Sequence, residues 1–416
     1  MWVIKLHSLN EVIDCIVKYL KINLKGIVKK VGIADAVGKY LAEDIRASMD
    51  IPPYDRSVLD GYAVIYEDIA LTRPESPVKL RVVGNVDVDE FKGYELRRGE
   101  AIKVSTGSPL PRNASAVIPK EGCVAQGDYI YVYNPVPPNY GVSKKGEDLR
   151  RGELIVSKGT LLRPWHVGLI ASQGIPEVLV YEPKACMFSV GDEVIDVGKV
   201  FSPGKVYAST TYLVLTYLKE LGFRVRFMGF IGDDEEAIVK LLRKSLNLCD
   251  FVFTTGGTSV GERDLTVRAL RRLSPEVLYH GVALIPGKPM AIAVVNGKLV
   301  MCLSGFPVAA LAELEVVLKP LLTKVLGMKF FEPRVIGRLG RRLSTSPNMN
   351  YLIRVKVSKV GNEYVVTPLK ITGSGVLSTL VKGNGVLLIR EGSTGVDEGD
   401  LVEVTLLSNV EGGKCG

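Results

Sequence analysis

Between residues 183 and 325 the sequence repeats one pattern: a short apolar run, a glycine turn, and a longer stretch of helical periodicity. Runs at 184–190, 224–230, 250–254 and 299–303 read as strands, while 207–221 (ended by Gly222), 235–246, 265–273 and 308–322 read as helices. This alternation predicts a parallel sheet, because neighbouring parallel strands need a long crossover, usually a helix that buries its apolar stripe on the sheet. The central part is therefore α/β, with helices on both faces. In such sheets ligands bind beyond the carboxyl ends of the strands, where loops and helix amino termini converge.

The flanks read differently. Ser8 followed by Glu11 is a capping-box pattern ahead of Val12, Ile13, Ile16, Val17 and Leu20, which predicts a first helix, and a second is expected over 33–45. From 51 to about 140 short β-branched runs (79–83, 101–104, 129–133) alternate with Gly/Pro clusters, as in a small β-rich insertion. After residue 329 short strands return around Gly361-Asn362, Gly383-Asn384-Gly385 and Glu398-Gly399-Asp400, which predicts a small β-barrel. The chain is thus read as an amino-terminal region (1–182), an α/β domain (183–328) and a β-barrel-like domain (329–416).

Composition narrows the function. The 416 residues are 47% hydrophobic and carry a formal charge of +8 without a long Lys/Arg run or a basic stretch interleaved with aromatics, so a nucleic-acid groove is not expected. The amino terminus lacks the apolar run and small-residue cleavage site of a signal peptide, and no apolar stretch reaches the roughly 20 residues of a membrane helix. A cytoplasmic protein is expected. Six scattered cysteines and three histidines offer no zinc spacing, so any metal should be hard and oxygen-liganded.

The segments after the four predicted strands hold most of the loop carboxylates of the central domain: Ser189-Val190-Gly191-Asp192-Glu193, Gly232-Asp233-Asp234, Thr255-Gly256-Gly257-Thr258-Ser259 with Asp264, and Ser304-Gly305-Phe306-Pro307. Backbone N–H groups and hydroxyls at Thr255, Gly256, Gly257 and Ser259 suit a phosphate or other oxyanion, and Glu193, Asp233 and Asp264 suit Mg²⁺ held against it. The plainer reading is that Asp233 and Asp264 cap helices and the glycines make tight turns. Lys288, in Pro286-Gly287-Lys288-Pro289, faces either a phosphate or solvent. Asp60-Gly61 is a turn signal, and Thr106-Gly107 is either an ordinary loop or part of an oxyanion site.

Taken in order, these segments, with 55–63, 106–111 and Gly146-Glu147-Asp148, resemble the signatures of the molybdopterin molybdenumtransferases. This is the MoeA-type molybdenum-insertion family, related to the E domain of gephyrin, and the resemblance covers nearly the whole chain. It implies a homodimer that inserts molybdate or tungstate into adenylylated molybdopterin, releases AMP, requires Mg²⁺ and works with the molybdopterin-adenylylating protein. It also implies that Asp60, Thr106 and Asp148 meet Glu193, Asp233 and Asp264 in catalysis, the last three as metal ligands. Molybdopterin would be held by Thr255, Gly256, Gly257, Ser259, Lys288, Ser304 and Pro307. Six positions depart from the family pattern: Val190 stands for a threonine, Ser304 for a proline, and Phe306 and Arg56 each for an asparagine. Ala208 and Thr210 also stand for the customary Asp and Asn. The alternative is a non-catalytic molybdopterin-binding or scaffold protein on the same fold.

Overall fold

The structure is a computed structural model that describes residues 6–89, 93–257, 264–369 and 373–412. It divides into two compact units. One comprises residues 44–157 with 168–175, and the other 1–43, 158–167 and 176–416.

In the larger unit the first helix, α1 (Leu9–Tyr19), forms as expected and buries Leu9, Val12, Ile13 and Ile16 at helical spacing. Its capping box does not form: the Ser8 hydroxyl donates to Glu391 instead. The central elements follow as β1 (Lys184–Val190), α2 (Ser209–Glu220), β2 (Arg224–Ile231), α3 (Glu235–Leu248), β3 (Phe251–Thr255) and α4 (Leu265–Arg271). Then come β4 (Val277–His280), β5 (Ala291–Val295), β6 (Lys298–Leu303) and α5 (Pro307–Glu313). The sheet order is β2-β1-β3-β6-β5-β4. The first four strands are parallel, and β5 and β4 extend the sheet antiparallel.

Alternation along each strand splits the core into two layers. Phe251 and Phe253 of β3, with Leu299, Met301 and Leu303 of β6, face the layer of α1 and α2. Val252, Val300 and Cys302 face the layer of α3 and α4. Full burial of a side chain such as Phe253 contributes about 2 kcal/mol.

The expected helix over 33–45 is corrected to a single 3-10 turn, Ile33–Asp35, followed by a turn at Val37-Gly38, isolated bridges at Tyr40 and Leu41, and the strand Ile45–Arg46. Tertiary hydrogen bonds claim that backbone. The N–H groups of Gly38, Leu41 and Ala42 donate to Leu162, Thr160 and Leu179, and Tyr181 N–H donates to Tyr40. The helix expected over 308–322 forms, running unbroken from Pro307 to Leu326 as α5, a π-helical turn (Leu314–Leu318) and a last stretch, Lys319–Leu326, ended by Gly327 in the left-handed region.

The carboxy-terminal part is a closed five-stranded β-barrel. Strands β7 (Arg334–Leu339), β8 (Asn350–Val360), β9 (Glu363–Pro368), β10 (Gly385–Ile389) and β11 (Leu401–Leu406) run in the order β8-β9-β7-β11-β10. Pairing of β8 with β10 closes the ring around Leu339, Val355, Val357, Val366 and Val404. The smaller unit holds a six-stranded sheet ordered 116–119, 61–64, 100–104, 78–86, 129–132, 123–126, and includes the three strands expected there. Among the described residues no helix is long and apolar enough to cross a membrane.

Candidate functional site

A cavity of about 240 Å³ opens at the carboxyl edge of the parallel strands. Ser189, Val190 and Glu193 come from the end of β1, Thr255 and Gly256 from β3, and Gly305, Phe306 and Pro307 from the turn after β6. The start of α2, from Ala208 to Thr211, closes another wall, and Gly375 and Leu377 reach it from the segment before β10. Its floor is a chain of buried hydroxyls: Ser189 Oγ lies 3.0 Å from Thr255 Oγ1, and Thr211 Oγ1 donates to Ser189 Oγ at 3.2 Å. Thr210 Oγ1 donates to the Gly305 carbonyl at 2.6 Å, tying α2 to the β6 turn. Hydroxyls beside bare glycine backbone suit an oxyanion or phosphate ester.

The two glycines are required by the fold as well. Gly256 (φ 82°) and Gly257 (φ 69°) lie in the left-handed region, and a Cβ would sit 2.2 Å from the Val190 carbonyl at the first and 2.2 Å from Thr266 Oγ1 at the second. Close approach of three segments of the chain, with or without a ligand, therefore excludes a side chain there.

The three expected metal carboxylates sit in different surroundings. Glu193 is exposed, lines the cavity and folds its carboxylate back over Gly191. Asp233 is exposed and caps no helix; the cap of α3 is Asp234, which accepts from Glu236 N–H at 2.9 Å and Ala237 N–H at 3.2 Å. Asp264 is buried, caps α4 through Val267 N–H at 3.1 Å, and brings Oδ2 within 2.8 Å of His280 Nε2. That approach lies off a hydrogen-bonding line. Among the described residues no group of three or more His, Cys, Asp or Glu side chains is gathered as a metal-holding cluster. Mg²⁺ commonly binds through one or two carboxylates plus substrate phosphates, and the exposed Glu193 at the cavity mouth fits that requirement.

Ser304 is buried behind the cavity wall, and Pro307 begins α5 at the wall itself. Lys288 is exposed on its turn, its carbonyl accepting from Val282 N–H, and does not line the cavity. Ser259 lies outside the described residues. In the smaller unit Asp60 Oδ1 accepts from Thr106 N–H at 2.7 Å and Thr106 Oγ1 at 2.8 Å. These bonds, the backbone one first, hold the Asp60 carboxyl below its ordinary pKa. Asp148 is exposed on a turn whose N–H at that residue donates to Ile51.

Sequence reasoning names the segment that holds Ser189 and Asp192 but gives neither a role, and it gives none to Thr211 or His280; Asp192 Oδ1 accepts from Asp233 N–H at 3.3 Å. A hydroxyl facing inward at the last turn of a buried strand was the available signal for Ser189. Nothing local marks His280, whose partner is brought by the sheet.

Family models match almost end to end. The MoeA N-terminal region (domain I and II) covers 7–174, a probable molybdopterin binding domain 186–324, and the MoeA C-terminal region (domain IV) 337–407. The chain is 37% identical over 400 residues, 94% of each sequence, to a protein of Methanocaldococcus jannaschii named for molybdopterin biosynthesis. The protein belongs to the MoeA family. This MoeA chain is also 27% identical over 378 residues, 90% of each sequence, to the molybdopterin molybdenumtransferase of Staphylococcus aureus. A crystal structure titled as a molybdopterin biosynthesis MoeA protein from Pyrococcus horikoshii superposes with a TM-score of 0.82 at 34% identity, over 97% of this chain and 100% of that one. MoeA membership places the chain in molybdenum cofactor biosynthesis, and the cavity lies within the segment matched by the molybdopterin binding domain and at its border with the barrel.

Proposed function

We propose that this protein is a molybdenumtransferase that takes adenylylated molybdopterin and molybdate or tungstate to metal-bound cofactor and AMP, in the cytoplasm. The observation that carries the reading is the cavity at the strand ends, where Ser189, Thr211 and Thr255 line up hydroxyls beside the bare backbone of Gly256. Backbone N–H and hydroxyl groups there orient the phosphate end of the ligand, and the exposed ring of Phe306 beside Gly375 walls the mouth. Mg²⁺, when bound, supplies charge neutralisation at the pyrophosphate, with Glu193 and Asp233 as the accessible carboxylates. Asp264 acts through α4 and His280, orienting the loop edge. Asp60, Thr106 and Asp148 are assigned to the same reaction as groups supplied by the second subunit of a homodimer, and Lys288 to the outer, phosphate-facing approach.

The test is incubation of the pure protein with adenylylated molybdopterin, Mg²⁺ and each oxyanion, measuring AMP and metal-bound cofactor. AMP release that depends on all three components supports the reading. Tight binding without turnover would instead establish a non-catalytic molybdopterin-binding protein, the reading favoured by Phe306 in place of an asparagine.

A further inference from the structure

Among the described residues Glu313 makes no ion pair, and it is wholly buried at the end of α5, just before the π-helical turn. Both of its carboxyl oxygens turn to one residue. Oε2 accepts from Ser304 N–H at 2.9 Å, and Oε1 makes a short hydrogen bond with Ser304 Oγ. A Cβ built on Gly287 would lie 3.0 Å from Glu313 Cγ and 3.4 Å from Oε1, so the carboxyl fills the space between the end of β6 and the turn that carries Lys288. All seven residues of α5 are buried, and packing alone would be met by an apolar side chain. An acid placed here is therefore expected to have a task.

We propose that Glu313 is a positioning residue for the ligand cavity: as a neutral acid it clamps Ser304 and so sets the Gly305–Phe306 wall, and losing its proton releases that wall. The inference rests on the reading that the cavity takes the molybdopterin ligand. Ser304 leads directly into Gly305, whose carbonyl is gripped from the other side by Thr210 Oγ1 at 2.6 Å, and then into Phe306 and Pro307, which line the cavity. The clamp thus acts one residue behind the ligand wall.

The groups facing Glu313 leave its charge unbalanced. From β6 they are Ser304 and the Cys302 thiol, itself pushed up to about 12 by burial first and by Asp264 and Glu313 after it. From the neighbouring turn there is Gly287, with Lys288 exposed beside it. On the packed face of α2 stand the Thr210 and Thr211 hydroxyls and, farther along, Tyr217, which donates to Glu315 instead. Burial pushes the Glu313 carboxyl up to about 8, against which the two Ser304 bonds pull only partly. Near neutrality it keeps its proton. Ionisation leaves both Ser304 donors, N–H and Oγ–H, on the carboxylate but puts a charge with no counter-charge among the described residues in the dry space beneath the wall, which favours a loosened wall that admits water.

The experiment compares the full-length wild type with Glu313→Gln, which keeps one donor and one acceptor but does not titrate, and with Glu313→Leu. Adenylylated molybdopterin is the probe, titrated from about pH 6 to about pH 9. Wild-type affinity should fall above a midpoint near 8, by up to about tenfold per pH unit for one linked proton. Glu313→Gln should bind as tightly near neutrality and stay flat, and Glu313→Leu should bind weakly at every pH while keeping its fold. Parallel profiles for wild type and Glu313→Gln would overturn the proposal. Hydrogen exchange at the Ser304 amide and the infrared band of a protonated carboxyl follow the clamp without ligand, and both should change with pH in the wild type only. If the probe binds neither protein, the ligand reading falls, and these two signals still decide whether the clamp exists.

Discussion

Asp233 and Asp234 are adjacent and exposed, yet only Asp234 turns its carboxylate onto the first N–H groups of α3. Asp234→Ala should therefore cost about 1 kcal/mol, read as a lower denaturation midpoint, with AMP release per folded molecule unchanged. Asp233→Ala should do the reverse, leaving the midpoint alone and slowing Mg²⁺-dependent AMP release; a stability loss at Asp233 instead would return it to a structural role. Glu313 has its own signature in stability. Its carboxyl lies at about 8 when folded, against 4.5 as the ordinary value. Below the ordinary value both states hold the proton and its contribution is complete. As pH rises from there towards about 8 the unfolded chain releases the proton while the folded one retains it, so stability is progressively lost. The melting temperature of the wild type, taken relative to Glu313→Gln, should fall between about pH 5 and about pH 8. A constant gap would show that the folded carboxyl is not held neutral.

At the level of elements, the parallel strands could be anticipated because a strand buried on both faces is apolar over most of its length, and 251–253 and 299–303 are apolar throughout. The antiparallel pair β4 and β5 was missed because it interrupts the alternation that announced the others. The residues 33–45 have helix-compatible periodicity, but their N–H groups find partners at 160, 162 and 179, and sheet-like pairing across the chain prevails over local preference. The turn after β3 shows how tightly the elements meet. Gly256→Ala would drive a methyl into the Val190 carbonyl and hold a non-glycine residue at positive φ, so it should cost about 2 kcal/mol or more by denaturant titration. Gly127→Ala, on a turn with open space around it, carries only the backbone strain and should cost distinctly less. Equal losses would mean that the contact between the β1 and β3 ends is not close.

For the whole molecule, the proposed sharing of a site between subunits can be tested by complementation. Glu193→Gln should slow AMP release on the order of 10²-fold while retaining molybdopterin, and Asp60→Asn should be impaired likewise. Randomly mixed subunits of the two variants should regain about a quarter of wild-type activity, since half the dimers are hybrids with one intact site. Sedimentation of the same samples checks that the protein is a dimer; no recovery in hybrid dimers would confine the site to one chain. The sequence by itself determined the α/β class, the barrel that follows it, the edge of the sheet where ligand-binding loops gather, and the family. Each of these depends on periodicity or on runs of neighbouring residues, which a linear text records. Only the tertiary structure decided that Asp264 faces His280 rather than a cluster of carboxylates, that Asp234 is the cap, that Ser189, Thr211 and Thr255 join hydroxyls, and that Glu313 lies beneath Ser304. Most of these contacts are made by residues far apart in the chain, and where they are neighbours the choice between them depends on backbone direction. Burial, which sets the Glu313 proton, depends on what the rest of the chain packs around it.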